Sequence, residues 1–413
     1  MAVVVLVALP VSAGARARVD DVNSAISTVT AGNNEFALEL YAQLREDPAA
    51  LAQDGNVFFS PYSISTALAM TYAGAGGETA KQMAEVLCFS LSPEKLHGAF
   101  GRLEKQLNAA GKKDDYQLHV ANALWGQKDY EFLGEFLKVT KDNYGAGLKE
   151  VDFKREAEKA RVRINRWVEK QTKDKIKDLI PKGVLGPLTR LVLTNAIYFK
   201  GDWKSKFEEK DTKDMPFHVT KEKTKQVPMM YQKGDFKYAA NDDVRVLELP
   251  YKGDDLSMIV LLPKEFDGLK QLEQSLTGEN LNKWLKQLNE QHEQEVYVYL
   301  PKFKVTWGVY DLKKVLMKIG MKDAFSLPPA DFSAMTGVKD LFISYILHKA
   351  FVEVNEEGTE AAAATAVVME RLSARPSLIF QADHPFVFMI RDNRSGSILF
   401  MGRIVNPASA GVK

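Results

Sequence analysis

Residues Val352–Ser377 read VEVNEEGTEAAAATAVVMERLSARPS, between two stretches that read clearly as strands. Before it, Phe342–Val354 (FISYILHKAFVEV) is rich in β-branched and aromatic residues and partly alternates. After it, Leu378-Ile379-Phe380 and Phe386–Ile390 (FVFMI) have the same character. The connection is about twenty residues long and polar or alanine-rich, and connections of that length inside a compact domain are uncommon unless they carry function or disorder. The rest of the chain is therefore read as scaffold for this segment.

The 413 residues are 46% hydrophobic and 26% charged, with a formal net charge of +1. That is apolar material for one large core or two ordinary ones. The even charge balance gives no support for nucleic-acid binding. Cys88 is the single cysteine, so an intramolecular disulfide and a cysteine-rich metal site are both excluded. The six histidines (His97, His119, His218, His292, His348 and His384) never pair at ligand spacing, which argues against zinc. Neither a P-loop nor a dinucleotide fingerprint occurs, so no cofactor is expected. Ser60, His348 and Asp383 can be written down as a triad, but no G-x-S-x-G elbow surrounds a serine, and an enzyme is not expected.

Residues 2–13, AVVVLVALPVSA, form an apolar run too short to span a bilayer, and no membrane partner is expected. Ala13-Gly14-Ala15 follows with the A-x-A form of a signal-peptidase site. Residues 1–15 are read as a secretory signal without its basic n-region, giving a secreted, extracellular protein; the alternative is an apolar N-terminus on a cytoplasmic one. Asn393-Arg394-Ser395 is a glycosylation sequon of the kind expected by chance in a chain this long.

Upstream of the loop, helices come mainly first. Residues 29–45 are amphipathic, with Phe36, Leu38, Leu40, Tyr41 and Leu44 apolar. Asn56–Phe59 reads as a short strand, and Ser60-Pro61 starts a helix with proline where its missing N–H costs nothing. Ile64–Ala73 is nearly all apolar, the mark of a buried helix. Residues 93–107 and 155–173 are charged helices; in the second, Glu156, Glu158 and Glu169 interleave with basic residues, which predicts an ordinary solvated face. Strands dominate from Leu191: Leu191–Phe199, ended by Lys200-Gly201, then 227–231, 244–249, 256–262 and 296–306, before a helix at 312–319. Helices first and strands later give a mixed α+β class.

Six stretches then make a specific match. NVFFSPYSISTALAM (56–70), LTNAIYFKGDW (193–203), ELPYKGDDLSMIVLLP (248–263), LPKFKV (300–305), HKAFVEVNEEGTEAAAATA (348–366) and ADHPFVFMIRDNRSGSILFMGRIVNP (382–407) resemble the serpin family of protease inhibitors, in the family's order. The resemblance spans a single domain over residues 29–408 and is strongest to the ovalbumin-related branch. That branch usually lacks a cleaved signal, so the apolar leader departs from its pattern. The resemblance implies about nine helices on three β-sheets with an exposed reactive-centre loop. It also implies a monomer whose partner is a target serine protease, or alternatively a cysteine protease. The protease attacks the loop as a substrate, and the loop's N-terminal arm then enters the central sheet, an established case of strand addition in that family.

The resemblance implies a hinge at Glu356, Glu357, Gly358, Thr359, Glu360, Ala361, Ala362, Ala363, Ala364 and Thr365, with Lys302 of the LPK motif as partner of Glu356. It implies a shutter of Asn56, Ser60, Ser63, Asn195 and His348 under the sheet, and Trp203 at the sheet's upper opening, the breach. The residues themselves suit insertion. Alternate side chains of a strand face opposite sides. The odd set Thr359, Ala361, Ala363, Thr365, Val367 and Met369 is small or apolar, while both charges, Glu360 and Glu370, fall in the even set. A slip of one residue would bury the glutamates, at several kcal/mol for each unpaired charge. No proline lies between Gly358 and Arg371, so every ladder N–H is available, and Gly358 leaves the hinge free to reverse. Alanine also favours helix, but this segment has no apolar stripe with which a helix could dock.

Counting fourteen positions from the hinge glycine, as in most of the family, puts the scissile bond at Leu372–Ser373. Leucine there implies a chymotrypsin-, cathepsin G- or elastase-like target. A cut one residue earlier, at Arg371, implies a trypsin-like one, because the two specificity pockets differ by an aspartate. Arg375 is a poor candidate because Pro376 follows. A non-inhibitory serpin acting as carrier or chaperone is the rival. Lys95, Arg102, Lys105, Lys112 and Lys113 lie where some relatives bind heparin, but Glu94, Glu104, Asp114 and Asp115 dilute them.

Overall fold

The computed structural model describes residues 13–51, 54–110, 116–145, 147–359 and 378–409. Helix α1 (Ala13–Leu44) leads to strand β1 (Val57–Phe59), then helices α2 (Pro61–Tyr72), α3 (Gly77–Val86) and α4 (Pro93–Ala110). Strand β2 (Tyr116–Gln127), α5 (Gly134–Tyr144), β3 (Lys149–Val151) and α6 (Phe153–Gln171) follow. The strand-rich part holds β4 (Leu191–Asp202), β5 (Lys213–His218), β6 (Thr224–Phe236), β7 (Tyr238–Ala240), β8 (Val244–Pro250) and β9 (Leu256–Pro263). After α7 (Leu269–Ser275) and α8 (Gly278–Asn289) come β10 (Gln294–Pro301), β11 (Phe303–Asp311), α9 (Lys313–Lys318) and α10 (Ser333–Thr336). The chain closes with β12 (Ile343–Asn355), β13 (Gly358–Thr359), β14 (Leu378–Gln381), β15 (Phe386–Asp392) and β16 (Ile398–Ile404). Ten α-helical segments and three sheets among the described residues make the α+β class that the sequence implies.

The central sheet has the order β11-β12-β13-β4-β2-β3; a second runs β1-β16-β15-β9-β8-β7, and a third β14-β10-β6-β5. In the central sheet β12 and β4 run parallel and touch directly from Ile343/Leu191 to Phe351/Tyr198, and β13 separates them only above that seam.

Local chemistry explains the parts that carry this sheet. Ser60 caps α2 by accepting from the Ser63 N–H at 3.1 Å, and Pro61 fills the first turn. Pro61–Thr71 are all buried, so α2 runs through the core rather than over it. Asp152 caps α6 in the same way, through the Arg155 N–H at 2.9 Å.

Both faces of β4 are covered. Leu191, Leu193, Ile197 and Phe199 join the main core under α2, whereas Val192, Ala196 and Tyr198 join a second core with Ala160, Ile164 and Val168 of α6. The side of the sheet that simple alternation would give to solvent is thus roofed by α6 over this span.

One expectation needs correcting, and one strand is additional to those marked by the sequence. Lys200-Gly201 does not end β4, which continues to Asp202. Gly201 is there because a side chain would press on Phe199 and Tyr251, not because the chain turns. Strand β2, the antiparallel partner of β4 from Tyr116 to Gly126, lies in a stretch the sequence reading passed over.

Candidate functional site

At the top of the central sheet β12 ends at Asn355, the chain turns through Glu356-Glu357, and Gly358-Thr359 re-enters as β13. Thr359 pairs antiparallel with Val354 on one side and with Gly201 on the other. A Cβ at residue 358 would collide with the Gly201 carbonyl oxygen and the Asp202 Cα, so only glycine fits the approach. The Asn355 carboxamide oxygen shapes the turn by accepting from the N–H groups of Glu357 (3.2 Å) and Gly358 (3.3 Å).

Side chains clamp the turn from outside. The Glu356 carboxylate lies 2.7 Å from Lys302 Nζ and accepts from the Thr212 hydroxyl at 2.8 Å. Burial pushes the Glu356 carboxyl up, but Lys302, the residue's own backbone N–H and Thr212 together outweigh it and hold the group below the usual carboxylate range. Glu357 pairs with Lys206 at 2.6 Å. Trp203 donates its indole N–H to the Asn355 carbonyl (3.0 Å) and its backbone N–H to that of Glu357 (2.8 Å). Trp203 stacks on Tyr251 at 4.7 Å, and the Tyr251 hydroxyl is 2.9 Å from Thr359 Oγ1. Thr359 is fully buried.

Beneath the middle of the seam lies a closed polar cluster built on α2, β2, β4 and β12. The His348 ring donates from Nδ1 to the Asn195 carboxamide oxygen, and its Nε2 accepts from the Ser60 N–H at 3.3 Å. Asn195 Nδ2 donates to Ser63 Oγ (2.8 Å) and to Asn122 Oδ1 (2.8 Å). Ser63 Oγ donates to the same Asn122 oxygen at 2.9 Å, and Asn122 Nδ2 returns to the Ser63 carbonyl at 3.0 Å. Ser60 Oγ donates to the Leu399 carbonyl at 2.6 Å. Burial drives the His348 pKa down to about 3, so the ring is neutral, as its acceptor role at Nε2 requires.

Lys302, Glu356, Glu357, Gly358, Thr359 and Trp203 are therefore brought together at the mouth, and Ser60, Ser63, Asn195 and His348 at the centre. Asn56 accepts from the N–H groups of Val405 (2.7 Å) and Asn406 (3.1 Å) at the end of β16. Glu360, Ala361, Ala362, Ala363, Ala364, Thr365, Arg371, Leu372 and Ser373 lie outside the described residues, as do residues 1–12; Ala13-Gly14-Ala15 opens α1. The written triad does not assemble, because Asp383 engages His384 Nδ1 at 2.8 Å while His348 is held by Asn195 and Ser60.

Asn122, Tyr251, Thr212, Lys206 and Asn355 escaped the sequence reading. Asn122 had a usable signal, an amide inside the strand-like run LHVANALW (118–125). The others are polar residues at strand ends and loops, and nothing local marks them.

Comparison with known proteins agrees with this geometry. The family model described as Serpin (serine protease inhibitor) matches residues 31–407. Human leukocyte elastase inhibitor is 47% identical over 385 residues, covering 92% of this chain and 99% of that protein. Uncleaved ovalbumin superposes with a TM-score of 0.82 at 35% identity, covering 92% of this chain and 100% of ovalbumin. Serpin48 of the insect Tenebrio molitor, described as highly specific, gives 0.79 at 35% identity, covering 94% of this chain and 98% of that one. The chain belongs to the serpin family, and is a protease inhibitor rather than an enzyme.

Proposed function

We propose that this serpin inhibits a chymotrypsin-, cathepsin G- or elastase-like serine protease as a suicide substrate cleaved at Leu372–Ser373. The protease serine attacks the Leu372 carbonyl, the Ser373 amine leaves, and an acyl-enzyme remains on Leu372. The arm from Glu360 onward then extends β13 down between β12 and β4, carrying the protease with it.

The observation that carries this reading is the register of β13. Thr359 stands opposite Gly201 and Val354 with its side chain in the main core. Continued in the same antiparallel register, Thr365 comes opposite Asn195 and His348, and Met369 opposite Leu191 at the foot of the sheet. The odd residues follow Thr359 into the core. The even ones pass beneath α6, where Ala362, Ala364, Ala366 and Val368 are small enough to enter, while Glu360 and Glu370 fall at the two ends of that span. Insertion replaces one parallel ladder, β12 with β4, by two antiparallel ones, a net gain of a ladder in the stronger geometry. Thr365 would bring a hydroxyl to the point where the His348–Asn195 contact must part.

The test is to mix the protein with chymotrypsin, run a denaturing gel, and map the new N-terminus by mass spectrometry. A covalent complex and a fragment beginning at Ser373 support the reading. Cleavage with no complex and no gain in thermal stability would overturn it in favour of a carrier. A fragment beginning at Leu372 would move the bait to Arg371 and the target to a trypsin-like enzyme.

A further inference from the structure

A groove on the far side of the central sheet, between α6 and β3, has a chemistry that inhibition does not use. It encloses about 590 Å³ and is lined by Trp125, Val162 and Trp167 together with Lys149, Lys159, Arg163, Arg166 and Lys170; Glu158 is its one acid among the described residues. That volume is within the range of small-ligand sites.

The cations are sorted by helix geometry. Residues 159, 163, 166 and 170 recur at steps of four, three and four, which places all of them on one side of α6. The interleaved acids that suggested an ordinary mixed surface fall to the flanks or are engaged: Glu156 pairs with Lys159 at 2.7 Å and Glu158 with Arg161 at 2.8 Å. Arg163 reaches the Glu150 carbonyl at 3.1 Å. Arg166 and Lys170 are exposed and have no ion-pair partner among the described residues. The apolar part is aromatic. Trp167 meets Trp125 edge to face at 5.5 Å, Lys149 Nζ lies 5.4 Å from the Trp167 ring centre, and Val162 beside them is 38% exposed.

We infer that this groove binds a small, flat organic anion: an aromatic body against Val162 and Trp167, with a sulfonate, carboxylate or phosphate held by Arg166 and Lys170. Charge complementarity selects the head group, since guanidinium and ammonium groups without carboxylate partners are the natural seat for an oxyanion. The tryptophan floor selects an aromatic body over a bare inorganic ion. The inference is independent of the inhibitory mechanism.

The probe is 1-anilinonaphthalene-8-sulfonate, titrated into the full chain by calorimetry at low and high salt. The expected result is a saturable site that weakens as salt rises. The Arg166→Glu/Lys170→Glu variant should weaken it by about tenfold or more, the effect of reversing two nearby charges. Trp167→Leu should weaken it at either salt concentration, and Lys283→Glu, on α8, should leave it unchanged. Benzenesulfonate should displace the probe where inorganic sulfate does not. Should the charge-reversed protein bind as the unmodified one does, or sulfate compete as well as benzenesulfonate, the inference fails. Both reversed side chains are exposed, so that variant remains decisive even if Trp167→Leu does not fold.

Discussion

Thr359→Arg is the sharpest perturbation of the proposed mechanism, because the position is already occupied before any protease arrives. Thr359 is fully buried between Gly201 and Val354, against the Tyr251 hydroxyl and near Trp203. An arginine inserted there loses the hydroxyl contact, about 1 kcal/mol. It also buries a guanidinium beside the rings of Tyr251 and Trp203, a penalty on the scale of the roughly 3–5 kcal/mol seen when a buried charge loses its partner. At about 1.4 kcal/mol per factor of ten, even the lower figure reduces the inserted hinge by more than about a hundredfold. The native fold survives, because residue 359 can withdraw from the mouth of the sheet. After acylation, however, the strand can enter only by carrying the charge inward, and hydrolysis overtakes insertion. The assay is a denaturing gel with chymotrypsin, scoring covalent complex against cleaved inhibitor. The covalent band should be nearly lost, with cleavage at Leu372 retained. Thr365→Arg, on the same face, should do likewise. Glu360→Arg exchanges one charge for another on the opposite face and should leave the band intact. An undiminished band for Thr359→Arg, with loss for Glu360→Arg, would mean the register is wrong by one residue.

Leu372→Arg should move inhibition from chymotrypsin to trypsin, and unchanged inhibition of chymotrypsin would place the scissile bond elsewhere. Asn122→Ala removes the acceptor shared by Ser63 and Asn195, at about 1–3 kcal/mol for each buried group left unpaired. The thermal midpoint of the native protein should drop by several degrees, and an unchanged midpoint would deny Asn122 its place in the cluster. Acid should weaken the native state through His348. Its folded pKa, about 3, lies below the ordinary 6.5, so between those pH values the unfolded chain binds a proton that the native one refuses. Stability is therefore lost as pH falls through that window, by up to about 1.4 kcal/mol per unit from this residue. Burial of His97, whose pKa falls to about 4, acts in the same sense. Comparing denaturant unfolding at pH 4.5 and pH 7, His348→Gln should show a smaller loss than the unmodified protein; an equal loss would remove His348 as the source.

The sequence made the architecture legible where the pattern was local. The cap at Ser60-Pro61 and the apolar run behind it announced a helix inside the core, and α2 is one. Lys302 and Glu356 are 54 residues apart, and it was resemblance, not periodicity, that paired them. Two things were hidden because they depend on what packs from elsewhere. Gly201 looked like a stop, since glycine usually punctuates; its reason is the crowding of Phe199 and Tyr251, which no window of sequence contains. Alternation along β4 is likewise silent about α6, the helix laid across its outer face. The same blindness concealed the cationic side of α6, where Glu156 and Glu158 are engaged by Lys159 and Arg161 while Arg166 and Lys170 are left exposed.

The two residues of β13 also bear on timing. Growth of an ordered segment is slow to begin and quick to continue, because the first contacts fix many torsions for little return. Closing a loop has its own entropic cost. Gly358 and Thr359 stand in the ladder with β12 and β4 from the outset, so that costly first event is already complete. In the proposed mechanism, cleavage then starts no new nucleus; it releases a tether, and the strand advances like a zipper with its first teeth engaged. Its pace is set by how fast the parallel seam ahead opens, above all at His348 and Asn195. The race against hydrolysis is thus timed by the sheet, and changes at the seam should alter the fraction of protease trapped without touching the bait.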